Sequence, residues 1–124
     1  WGAARSEPVE IWGDGSVTRD FIHVRDLADL CLRAVESDVT GCFNAGSGTG
    51  VSVNGIIDRV DAVVRRTGHP PPQFQRRPAR AFDAPRIVLD TCRARDVFGW
   101  AAQIPLETGL AETWDWISEQ GVFF

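Results

Sequence analysis

Three glycines at alternate positions, in the segment FNAGSGTGVSV at residues 43–53, separate a short apolar run from the amphipathic NGIIDRVDAVV that follows. A strand, a glycine turn and a helix form one βα unit, and a chain that repeats this alternation folds in the α/β class. The turn itself tests poorly as a phosphate loop. Gly46, Gly48 and Gly50 read G-x-G-x-G, whereas a dinucleotide loop wants G-x-G-x-x-G and an acid about 20 residues further on, after the next strand. Arg66, Thr67 and Gly68 stand there instead, and without a Lys a P-loop fails too. The spacing describes a structural turn.

The alternation extends along the chain. VEIW at 9–12 reads as a strand, GDGS at 13–16 as a turn, and TRDFIHV at 18–24 as a second strand. In DLADLCLRAVE, residues Leu27, Leu30, Cys31, Ala34 and Val35 fall on one helical face, with Asp26 as N-cap and Asp29 imitating a capping box. Gly41 turns into a strand at 42–45. Ser52 caps a helix over 53–67 whose apolar face is Val53, Ile56, Ile57, Val60, Val63 and Val64, and Gly68 with PPP at 70–72 ends it. Residues 73–85 read as an Arg-rich surface loop and RIVL at 86–89 as a strand. A short helix runs from about Thr91 to Gly99, and a last one from Leu106 to about Ser118 has Leu106, Leu110, Trp114 and Ile117 on one face. Trp114 and Trp116 are expected to pack, one toward the core and one near the surface, and His23 to have a structural role. The reading is one domain over 1–124, with short strands alternating with about four helices.

Composition excludes several classes. A net charge of −4 gives no electrostatic case for nucleic acid, and no apolar run approaches a membrane span. No basic, then apolar, leader opens the sequence, so a cytoplasmic setting is the default expectation. Cys31, Cys42 and Cys92 have no metal-ligand spacing, and only His23 and His69 could add imidazoles, so no metal site is expected and the thiols are read as reduced and mostly buried. All 13 basic residues are Arg, and Met and Tyr are absent. Chemistry that needs a Tyr phenol or a Lys ammonium cannot reside in this chain. The missing Met suggests that upstream sequence has been lost or left out.

The order IWGDGSVTRDFIHVRDLA, FNAGSGTGVSV, RPARAFDAP, LDTCRARDVFGW and PLETGLAETWDWI resembles the C-terminal portion of NAD-dependent nucleotide-sugar epimerases and dehydratases, the extended short-chain dehydrogenases typified by UDP-galactose 4-epimerase. The resemblance runs from about Glu7 to Ile117. It implies an α/β fold without the N-terminal Rossmann half, which in that family binds NAD and carries the catalytic Tyr and Lys. It leaves this chain with no cofactor site and no catalytic residue of its own, and gives it a nucleoside-diphosphate sugar as partner. By the same resemblance Arg19 and Arg80 match pyrophosphate-binding arginines and Asp83 a carboxylate that accepts from a ribose hydroxyl. Trp12, Phe21 and Val53 fall where the nucleotide pocket is lined. Guanidinium forks and apolar faces suit those tasks.

Four positions depart from the family's pattern. Arg25 replaces an acid, Cys92-Arg93 replaces Ser-Lys, and Phe82 replaces a Gly between Arg80 and Asp83. Arg25 and Arg93 read as surface changes, while Phe82 brings bulk to the proposed ligand residues. Two functional readings follow. One is the substrate-binding portion of an epimerase or dehydratase, incompetent alone. The other is a non-enzymatic remnant that serves as an interaction or oligomerisation module. Apolar surface and strand edges uncovered without the Rossmann half would favour self-association.

Overall fold

The computed structural model of the chain describes residues 2–5 and 7–119. Strands β1 (Val9–Trp12) and β2 (Thr18–Asp20) lead into helix α1 (Val24–Val35), and β3 (Gly50–Ser52) runs directly into α2 (Val53–Arg66). Strands β4 (Phe74–Arg77) and β5 (Arg86–Ile87) precede helices α3 (Cys92–Phe98) and α4 (Leu106–Glu119). β1 and β4 pair in parallel, from Val9 opposite Phe74 to Trp12 opposite Arg77. β2 is the centre of a second sheet, antiparallel to β3 and parallel to β5. Among the described residues, four helices and short strands make the α/β class expected from the sequence.

α1 packs on α3 and α2 on α4, giving two buried groups. In the first, Trp100 is 1% exposed against Leu30 and Ala94, with Ile22, Ala45, Phe98 and Ala102 around them. In the second, Val64 of α2 is buried, as are Trp114 and Ile117 of α4, and the His69 ring meets Trp114 edge-on at 5.2 Å. Trp116 is exposed, so the two tryptophans divide as their helical positions require.

Several local expectations needed tertiary partners to resolve. The expected strand 18–24 stops at Asp20, because His23 is extended and its Nδ1 accepts from the Arg25 N–H, making it the N-cap of α1. Asp26 is therefore not the cap. It lies in the first turn, buried, where its carboxylate accepts from the N–H groups of Gln103 and Ile104 at 3.1 and 3.0 Å. Its own carbonyl accepts from the Trp100 indole at 3.1 Å. Residues 42–45 form no strand: side chains hold them instead, Phe43 against Phe98 and Asn44 donating to the Asp90 carbonyl.

Residues 73–85 are not all loop, since β4 finds β1 as a partner at a distance no local pattern reports. The 86–89 strand shortens to Arg86–Ile87 because the Leu89 N–H turns to the Asp20 carboxylate rather than to a neighbouring strand. The three thiols are exposed, not buried: Cys31 sits on an uncovered side of α1, Cys92 opens α3, and Cys42 adjoins the Gly41 turn. The caps on Ser52 and Gly99 and the bounds of α2 and α3 follow the sequence reading to within a residue.

Asp26→Ala is expected to cost about 3 kcal/mol in urea unfolding, since it leaves partly buried N–H groups without acceptors. Asp29→Ala, which removes only the exposed pair with Arg33, is expected to cost less than about 0.5 kcal/mol.

Candidate functional site

Where β1 ends, Gly13 adopts φ +81° and its N–H donates to the Arg77 carbonyl, which brings the chain at 79 against it. The chain then reaches Arg80, whose guanidinium lies over the Trp12 indole at 4.1 Å from the ring centroid. The Asp83 N–H donates to the Arg80 carbonyl at 3.2 Å, closing a turn that sets both residues side by side in the chain's path. Beyond the turn, Arg19 Nη1 on β2 donates to the Ala84 carbonyl at 2.8 Å, and the Thr18 N–H donates to the Pro85 carbonyl. The 80–85 segment is thus held at one end by β1 and at the other by β2.

Trp12, Arg80, Asp83 and Arg19 are brought together in this way. Val53 opens α2, with its N–H on the Val17 carbonyl, and its neighbour Asn54 bonds to the carbonyls of Asp14 and Gly15, the loop just after Trp12. Phe21 stands apart from them. It lines a cavity of about 640 Å³ together with His23, Leu106, Leu110 and Trp116, and a second of about 340 Å³ with Val51, Arg59 and Glu107. Neither cavity is lined by Trp12, Arg19, Val53, Arg80 or Asp83. Phe82 is 83% exposed, so its bulk lies in solvent and not between Arg80 and Asp83.

Other arginines are committed to structure. Arg76 donates to Asn54 Oδ1 and Arg77 holds Glu10. Arg93 lies over Phe43 and donates to the Cys42 carbonyl, while Arg25 pairs with Glu112 of α4, so both join distant segments. Arg80, like Arg66 and Arg86, has guanidinium N–H groups that meet no acceptor among the described residues, and it lies over an aromatic ring. In the larger cavity, His23 Nε2 lies 3.5 Å from Glu112 Oε2. Among the described residues no cluster of His, Cys, Asp or Glu could hold a metal ion.

Sequence reasoning missed Asp20 as the organiser of the glycine turn. Its Oδ1 accepts from the Ser47 N–H and hydroxyl at 2.8 and 2.6 Å, and its Oδ2 from the N–H groups of Gly48 and Leu89. A Cβ on Gly46 would come within 2.6 Å of Oδ2, which is why that position has no room for a side chain. Burial is the largest single influence and opposes ionisation, but the bonds from Ser47, Leu89 and Gly48 together outweigh it and hold the carboxyl below its ordinary value. An Asp beside an Arg carries no signal in one sequence that would distinguish such a hub from a surface charge. The turn GSGTG is accordingly clamped to β2.

A model of the NAD-dependent epimerase/dehydratase family matches residues 2–46. The chain is 40% identical, over 92% of its length, to a dTDP-4-dehydro-6-deoxy-D-allose reductase of Streptomyces bikiniensis. It is 37% identical, over 83% of its length, to a UDP-glucose 4-epimerase of Rhizobium leguminosarum bv. trifolii. The chain belongs to the NAD-dependent epimerase/dehydratase family. Its fold matches that of the protein MoeE5, solved in complex with UDP-glucuronic acid and NAD, with a TM-score of 0.84 and 32% identity over 96% of this chain and 39% of that one. The chain spans about a third of the length of the curated relatives, 33% and 32% respectively.

Because the Asp20 pKa is lowered on folding, its contribution to stability is present above the ordinary value of 3.8 and is lost as pH falls through the folded value. Asp20→Asn, which turns a donor toward the N–H groups of Gly48 and Leu89, is expected to cost about 1–2 kcal/mol at pH 7. Urea titrations at a series of pH values should show the gap from the unsubstituted chain closing below about pH 3.8.

Proposed function

We propose that this chain is the substrate-gripping, C-terminal portion of an NAD-dependent epimerase or dehydratase, and that its ligand is a nucleoside-diphosphate sugar. The observation that carries the reading is the turn from Arg80 to Asp83. It offers a stacked guanidinium with unengaged N–H groups, a carboxylate three residues on and, tied to the next residue, Arg19. Two guanidinium groups suit a diphosphate, and a carboxylate suits a ribose hydroxyl. MoeE5 binds UDP-glucuronic acid and NAD, while the relatives named act on dTDP- and UDP-linked sugars, which supports the diphosphate more than any one base. Hydride transfer to NAD and the phenol and ammonium chemistry of the reaction belong to sequence outside these residues, since this chain has no Tyr and no Lys. The chain by itself is then a binder, not an enzyme, and no step of the reaction is assigned to its residues.

A second reading, self-association, is favoured by α1. Val24, Leu27, Cys31 and Val35 follow one another along the helix on the side away from buried Asp26 and Leu30, and all are exposed, Val35 to 85%. Such a stripe favours burial against a second copy.

Calorimetry should show saturable binding of UDP or dTDP, weakened about tenfold or more by Arg80→Ala and also by Arg19→Ala, with no saturable binding of NAD. Lack of response to every nucleoside diphosphate would sink the first reading. For the second, sedimentation should show a dimer or larger species at micromolar concentration that Leu27→Glu converts to monomer, and a monomer throughout would overturn it.

A further inference from the structure

We infer that Trp12 is a positioning residue, which serves the nucleotide site by holding Arg80 rather than by stacking on the ligand. The inference rests on the nucleotide reading above and goes beyond it, because it assigns the indole face to a protein group.

The geometry leads there directly. The Arg80 guanidinium carbon lies 4.1 Å from the Trp12 ring centroid, within reach of a cation–π contact. Among the described residues none of that guanidinium's N–H groups is spent on an acceptor. The fork that would grasp phosphate oxygens is therefore left open while its orientation is fixed.

Arg76 and Arg77 lie in the same stretch of chain, yet their N–H groups are taken by Asn54 and Glu10. The platform is itself well anchored. Trp12 ends β1 opposite Arg77, next to buried Ile11, and Gly13 ties the following residue to the Arg77 carbonyl. On the other side, the bond from Asp83 to the Arg80 carbonyl holds the arginine's backbone. An exposed arginine surrenders side-chain entropy when it binds, and one already stacked has less left to lose. Trp12 keeps 38% exposure, so its ring face is shared with solvent and with Arg80 rather than sealed in the core.

A double-mutant cycle on UDP affinity, measured by calorimetry on the full chain, separates the two roles. Trp12→Leu is expected to weaken UDP binding about fivefold, the worth of a half-exposed cation–π contact. In the Arg80→Ala background the same substitution should change affinity less than about twofold. Trp12→Phe, which keeps a weaker aromatic face, should fall between. An equal loss in both backgrounds would mean that the ring acts on the ligand itself, and would overturn the inference while leaving the nucleotide reading intact. If the unsubstituted chain binds no UDP, that reading falls and this inference falls with it.

Discussion

The buried carboxylate of Asp26 supports the larger share of this architecture. From the first turn of α1 it accepts the N–H groups of Gln103 and Ile104, while its backbone carbonyl receives the Trp100 indole. One residue therefore joins α1 to the exit of α3 and to the entry of α4. The strands are too short to do this, since none among the described residues exceeds four residues. A ladder of that length supplies few backbone bonds, and the long irregular stretches between elements need acceptors from side chains. Asp20 plays the same part for the three-stranded sheet, where it gathers Ser47, Gly48 and Leu89. The two carboxylates between them hold three segments that a single-sequence pattern leaves unconnected.

Arginine performs the complementary task. A guanidinium can stack, fork and reach a distant carbonyl in one pose, which an ammonium cannot do as well. Arg19 fastens the 80–85 turn, Arg33 reaches the Phe98 carbonyl, and Arg93 clasps both Phe43 and Cys42. Against that background Arg80 is held over the Trp12 ring, and among the described residues its N–H groups meet no acceptor.

The same economy explains the surface. α1 places apolar residues around more of its circumference than α3 covers, so Leu30 is buried while Val24, Leu32 and Val35 stay in solvent. Phe21 and the α4 residues Leu106, Leu110 and Trp116 continue that apolar character around a cavity whose polar rim is His23, Arg25 and Glu112.

Local pattern alone determined the α/β class, the four helices among the described residues and the Ser52 and Gly99 caps, because periodicity and capping chemistry act within a few residues. The motif order marked Arg19, Arg80, Asp83, Trp12, Phe21 and Val53; contacts in the fold link Trp12 with Arg80, Arg80 with Asp83 and Arg19 with Ala84, while Phe21 lines cavities beside α4. Tertiary structure alone decided that Asp26 is a buried acceptor and His23 the cap, that β4 exists, that 42–45 is no strand and that the thiols are exposed. Each of these depends on a partner tens of residues away, and the sequence around a residue does not say which partner will arrive. Phe21 shows the same limit. Two residues from Arg19 in sequence, it lines cavities shared with α4, while Arg19 is tied to Ala84, because contacts from other elements decide what each of them meets.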